Sequence, residues 1–257
     1  MPKYFVDKAS IVRQIWGSAD TVLFIFAGAA AEFALNKAVD WLYFTGRLPA
    51  DPLGRLFSTV VYARQIIFSE EEKALAAIDQ ITAIHTAVEN KRDSKIPDWA
   101  YRDVLFLLID YSIRSFEILE RKLSSEELNE VFEVFNRVGI RMKLKGLPAS
   151  FAAWQQMRIN HLADDLVHSE FTADLYRQYQ KHLGKIRFVI LKQVQVNLSP
   201  NEVNELLGLK KRRWFGALLS AYKTSRLIHI NKLLKAALLP KTYRIQIWSL
   251  DHNDRIK

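Results

Sequence analysis

The chain predicts an all-α fold: a single globular domain of roughly ten helices around a buried, cofactor-sized pocket. Three observations carry this expectation. Apolar patterns of helical period, bracketed by capping residues, follow one another from residue 18 to residue 207. Only residues 243–250 alternate apolar and polar side chains as a strand does. The 257 residues hold nine glycines and no repeat or low-complexity linker, which suits one body with a substantial core.

Each helix has its own signal. Residues 21–37 open after Ser18 and Asp20 and are apolar nearly all round. Residues 55–68 follow Asp51-Pro52, a helix start, and the turn residue Gly54. Ser69-Glu-Glu-Glu72 places acidic residues in the first turn of a helix running to about Asn90, where the helix dipole favours them. Pro97-Asp98 starts another, to about Lys122, and Ser124-Ser-Glu-Glu127 has the form of a capping box opening a helix to about Lys143. Gly146-Leu-Pro148 breaks the chain. Helices are expected again at 150–166, 172–183, 186–196 and 199–207.

Composition limits the chemistry. With 49% apolar and 25% charged residues the chain is an ordinary globular one. The absence of cysteine excludes disulfides, thiolate metal sites and cysteine nucleophiles. The first residues lack the unbroken apolar core of a secretory signal. The longest apolar stretch, 22–35, contains Glu32 and falls short of the ~20 residues that span a bilayer. A cytoplasmic location, peripheral to a membrane at most, is therefore expected.

Charge is unevenly placed. Residues 1–204 carry 25 Lys+Arg and 25 Asp+Glu, whereas residues 205–257 carry 12 against 3, leaving the whole net charge of +9 at the end of the chain. This divides the expected domain, 1–208, from a basic amphipathic extension, 209–257. Within 209–239, Lys210-Lys-Arg-Arg213 precedes Trp214, and Leu227, Ile228, Ile230, Leu233 and Leu234 interleave with Arg226, Lys232 and Lys235. Such a segment is either a peripheral membrane contact or a helix packed on the body with solvated lysines. One basic run is not a groove-reading element, so no nucleic-acid partner is expected. Nothing in the sequence defines the oligomeric state.

Phosphate-binding glycine loops, paired zinc histidines and nucleophile elbows are all missing. What stands out is Asp51-Pro-Leu-Gly-Arg-Leu-Phe-Ser-Thr59, with His85 in the next helical pattern. Arg55 and Thr59, four apart, share one helix face. His85 lies among Ile78, Ile81, Ile84 and Val88, where the spacing predicts a core-facing apolar stripe. A buried neutral imidazole beside a helix bearing a cation and a hydroxyl suits a haem-like cofactor: one nitrogen for the metal, a guanidinium for a carboxylate. Equally, a lone histidine on an apolar face serves as a core residue. Glu32, inside an apolar helix, must be paired or protonated; it is either a partner of Arg55 or Arg114, or a site acid. Asp110 and Arg114 form an i, i+4 pair, and Tyr111 has no assignable direction. His161 and His168, seven apart with Asp164 and Asp165 between them, read as half a metal site or as helix-surface pairs.

Three segments together resemble one family: Phe24-Ile-Phe-Ala-Gly-Ala-Ala-Ala-Glu-Phe-Ala-Leu-Asn36, the 51–59 segment, and Ala83-Ile-His-Thr-Ala-Val88. It is the b-type haem oxygenase family of latex clearing protein and the MpaB-type oxygenases, and the likeness covers residues 18–184. The resemblance implies an all-helical oxygenase using haem b (iron) and dioxygen on a small hydrophobic, isoprenoid or lipid-like substrate. It implies that His85 is the proximal iron ligand and that Arg55 and Thr59 are the haem-contacting pair, with Glu32 and Asp40 near the distal carboxylate. Ser58 stands where the latex enzyme has a lysine, and the family's frequent Trp-x-His is missing near Ile109. A reading from another class is a non-catalytic helical protein that binds lipid or haem and docks on membranes through 209–239.

Overall fold

The structure is a computed structural model describing residues 2–46 and 50–227. Eleven helices, nine of them seven residues or longer, make up these residues, with only two isolated β-bridges beside them. They are α1 (Ile11–Gly17), α2 (Ala19–Phe33), α3 (Asp40–Phe44), α4 (Pro52–Phe68), α5 (Glu71–Arg92), α6 (Asp98–Leu119), α7 (Ser125–Arg141), α8 (Phe151–Asp164), α9 (Glu170–Leu198), α10 (Asn201–Leu206) and α11 (Arg213–Leu227). The all-α expectation holds.

Local chemistry starts each helix. The Ser18 side chain accepts from the Thr21 amide, and Asp51 caps α4 by accepting from Gly54 with Pro52 in the first turn. Ser124 and Glu127 close the expected capping box, and Ser169 with Thr172 closes another at α9. Each cap satisfies amides that the helix leaves without partners.

The expected helix 21–37 stops at Phe33. There the chain is held by another segment: Lys37 N–H donates to the Asp165 carbonyl at 2.9 Å, and Val167 N–H to that of Leu35 at 2.7 Å. A long-range bridge displaces the last turn that the pattern predicts. The helices expected at 172–183 and 186–196 are present as two segments that meet at a kink at Gly184 (φ 74°) and are numbered together as α9. That left-handed conformation is open to glycine at little cost. The expected strand at 243–250 lies outside the described residues, as does 228–239 of the basic segment.

α2 and α6 are the central pair, packed along each other; α1, α7, α8 and α9 surround them. Trp16, Ile15, Ile25, Ile67, Ile78 and Ile109 are fully buried in the core. Close approach of the central pair depends on Gly28: a Cβ there would lie 2.3 Å from the Tyr111 ring. No described helix is long and apolar enough to cross a membrane. The apolar stripe on α5 is narrower than the spacing predicts. Ile78 is buried, but Ile84 is 41% exposed, because only the first half of α5 meets the core.

Candidate functional site

α5 and α6 are joined by a short turn, and Glu89 organises it. Its carboxylate accepts from Lys95 Nζ (2.7 Å), the Ile96 amide (3.0 Å) and the Tyr101 hydroxyl (3.2 Å). Burial raises its pKa, but Lys95 and the amide outweigh that and hold it below the usual range. This fixes Tyr101 against His85, one turn before Glu89, with ring centroids 5.2 Å apart, edge to face. Burial and the Glu89 charge push the Tyr101 phenol well above its ordinary value, so it is a hydrogen-bond donor at neutral pH.

His85 is half-buried, and its Nδ1 is enclosed without a hydrogen-bond partner. Burial, then the Arg55 charge, lower its pKa to about 4 against a partial opposing pull from Glu89. The imidazole is therefore neutral with a lone pair to offer. It forms one wall of a pocket of about 280 Å³, with Thr82, Thr86, Tyr101 and the 142–145 turn among the other walls. This pocket opens to solvent and carries Lys95, Asp98, Lys143 and Lys145, so it is more polar than the predicted apolar surroundings suggest.

On α4, Arg55 and Thr59 lie together as their spacing implies: Arg55 Nη1 donates to Ser58 Oγ (3.0 Å) and Thr59 Oγ1 (3.4 Å). Neither lines the His85 pocket, although the guanidinium is close enough to depress the histidine. Asp40 pairs with Arg92 at 2.6 Å, and Arg92 covers the Trp41 ring. The structure thus brings Arg55 toward His85 and holds Asp40 in an ion pair at the end of the same helix, α5.

Glu32 lies elsewhere, in a buried ionic cluster. Its two oxygens receive the Arg158 guanidinium in a bidentate pair, with Nη2 at 2.6 Å from Oε2. Oε1 also meets His161 Nε2 at 2.8 Å, and Oε2 accepts from the Tyr111 hydroxyl at 3.0 Å. Burial pushes this carboxyl up, but Arg158 and His161 outweigh it and hold it at about 2. Arg158 also grips Asp110 (Nη2–Oδ2, 2.8 Å), which pairs on its other oxygen with Arg114 at 2.6 Å. The partner of Glu32 is therefore Arg158, neither Arg55 nor Arg114. The Asp110–Arg114 pair forms as its spacing implies, and Tyr111 points into this cluster rather than a pocket.

His161 belongs to the core and not to the helix surface. Its Nδ1 approaches Asp103 Oδ1 (2.7 Å) and Asp165 Oδ2 (3.6 Å). Desolvation lowers its pKa, yet Asp103 and Glu32 more than reverse this and raise it to about 9. α8 ends at Asp164, which leaves His168 beyond the helix and separates it from His161. Sequence reasoning missed Asp103, Arg158 and the depth of His161. The available signal was a set of charged residues in apolar helices, with Asp103 and Asp110 seven apart on one face of α6.

Residues 14–224 match the family described as ER-bound oxygenase mpaB/B'/Rubber oxygenase, catalytic domain. No curated protein matches the chain, and no solved structure does. The match spans 211 of the 257 residues and includes Glu32, Asp40, Arg55, Thr59 and His85. The chain belongs to the MpaB and rubber oxygenase catalytic-domain family.

Proposed function

We propose that the protein is a haem b-dependent oxygenase acting with dioxygen on a small hydrophobic substrate, with His85 as the iron ligand. The observation that carries this is the neutral, partnerless Nδ1 of His85 on a pocket wall. A neutral imidazole offers the lone pair of one ring nitrogen, the donor that haem iron takes. The His85 imidazole therefore fits the group. When bound, haem supplies the iron that activates dioxygen.

The rest of the work falls to side chains. Tyr101, held by Glu89, sets the plane of the His85 ring. Burial, aided by the Arg55 charge, keeps His85 unprotonated, and the guanidinium is a planar fork suited to a propionate carboxylate. Thr59 and Ser58 hold that guanidinium in place. The test is the absorption spectrum of purified protein with a pyridine haemochrome assay. A Soret band and a b-type haemochrome are expected, and His85→Ala should lose the band. Retention of an unchanged spectrum in that variant rules out His85.

A peripheral membrane contact through the basic segment is the second reading, favoured by one observation on α11. Trp214 and Leu218, four apart, are each 41% exposed, next to exposed Arg212 and Arg213. An apolar edge flanked by cations is the composition of a helix lying on an anionic lipid surface. In the non-catalytic form of this reading the protein binds lipid or haem without turnover. Colourless protein that sediments with anionic liposomes only at low salt would favour that form.

A further inference from the structure

We propose that Asp103, His161 and Asp165 form a site for one divalent first-row metal ion of the Mn²⁺ or Zn²⁺ kind, separate from His85. One nitrogen and two carboxylate oxygens from these residues lie within 4.8 Å of one another. His161 is 3% exposed and its Nε2 is committed to Glu32, so Nδ1 faces the two aspartates. Distance alone would make the 2.7 Å approach to Asp103 a hydrogen bond, but direction does not. Nδ1 is buried with no directional hydrogen bond to either carboxylate, although their charge acts on it. A buried nitrogen aimed between two carboxylates, without a proton bridge to either, is a donor set for a cation.

The surroundings are those of an oriented metal ligand set. The far nitrogen of His161 rests on the Glu32 carboxylate, and Asn36 Nδ2 donates to the second oxygen of Asp103 at 2.8 Å. Such outer partners fix the tautomer and the angle of ligating groups. Charge points the same way. The cluster holds four carboxylates, Glu32, Asp103, Asp110 and Asp165, against two guanidiniums, Arg114 and Arg158. With His161 protonated the cluster carries one net negative charge; an ion on Nδ1 would displace that proton, and the two negative charges then left are balanced by one dication. The nearby Lys37 ammonium is spent on the Asp164 carbonyl. The Asp165 side chain is 25% exposed and gives an ion a way in.

Ligand chemistry sets the class: oxygen donors suit Mn²⁺, and imidazole shifts preference toward Zn²⁺. An ion here would join α6, α8 and the turn after α8, and through Asn36 the end of α2. Its role is to position the core, not to touch substrate. The test uses the full chain, stripped with chelator and titrated calorimetrically with ZnCl₂ and MnCl₂. One equivalent is expected to bind wild type and equally His85→Ala. Asp165→Asn, with an unchanged circular dichroism spectrum, is expected to bind about tenfold or more weakly. As a measurement independent of variants, Mn²⁺ should selectively broaden the His161 imidazole resonances of wild type. Wild type that takes up neither ion, Asp165→Asn that binds like wild type, or broadening confined to other histidines overturns the proposal.

Discussion

Gly28 and Tyr111 touch across α2 and α6, and that contact places the Tyr111 hydroxyl 3.0 Å from Glu32, one turn further along α2. The missing side chain at position 28 and the buried carboxylate at position 32 are parts of one arrangement. A larger residue at 28 has to move a ring that is itself fully buried.

Gly28→Ala should therefore destabilise the protein despite its better helix propensity. Overpacking of this kind costs about 1–3 kcal/mol. Urea unfolding followed by circular dichroism reads it directly. An unchanged or raised midpoint would show that the helices separate without cost.

Arg158→Met removes the cation facing Glu32 and Asp110. Breaking a buried pair from one side costs about 3–5 kcal/mol, because an uncompensated charge is left inside. Combining it with Glu32→Leu should recover part of the loss. A single variant as stable as wild type would show that Glu32 is charge-balanced without Arg158.

Stability should depend on pH on both sides of neutrality in chelator-treated, haem-free protein. Glu32 is lowered from 4.5 to about 2, so its contribution is complete above 4.5 and lost as pH falls toward 2. His85 is lowered from 6.5 to about 4, so the unfolded chain binds more protons between those values and stability rises with pH across them. His161 is raised from 6.5 to about 9, so its contribution is complete below 6.5 and lost as pH rises through 9. The urea midpoint should peak near pH 6.5. His161→Gln should flatten the alkaline side, and an equally steep fall in that variant would contradict the assignment.

Arg55→Met should move the His85 pKa upward from about 4, toward its ordinary 6.5, since one of the two depressing influences is removed. Histidine NMR titration of the haem-free protein measures this. Burial persists in the variant, so the shift should be partial; no shift would place Arg55 away from His85.

Much of the fold was legible from local pattern. Ser18, Asp51 and Ser124 mark helix starts because capping acts over three residues and needs no tertiary context. Helical period located the long elements for the same reason. The misjudged end of α2 was set by backbone bonds to residues 165–167, which no local signal reports. His85 was legible as a chemically unusual position, yet its polar, solvent-open pocket was not, since Lys143 and Lys145 come from a turn far along the chain.

By itself, then, the sequence determined the helices, their caps, the basic end of the chain and the resemblance carried by Arg55, Thr59 and His85. Tertiary structure alone decided that Glu32 meets Arg158, 126 positions away, and that His161 lies between Asp103 and Asp165. The reason is physical. Propensity and capping are governed by neighbours within a turn, whereas a buried charge takes whichever partner packing delivers, and packing is settled only when α2, α6 and α8 meet.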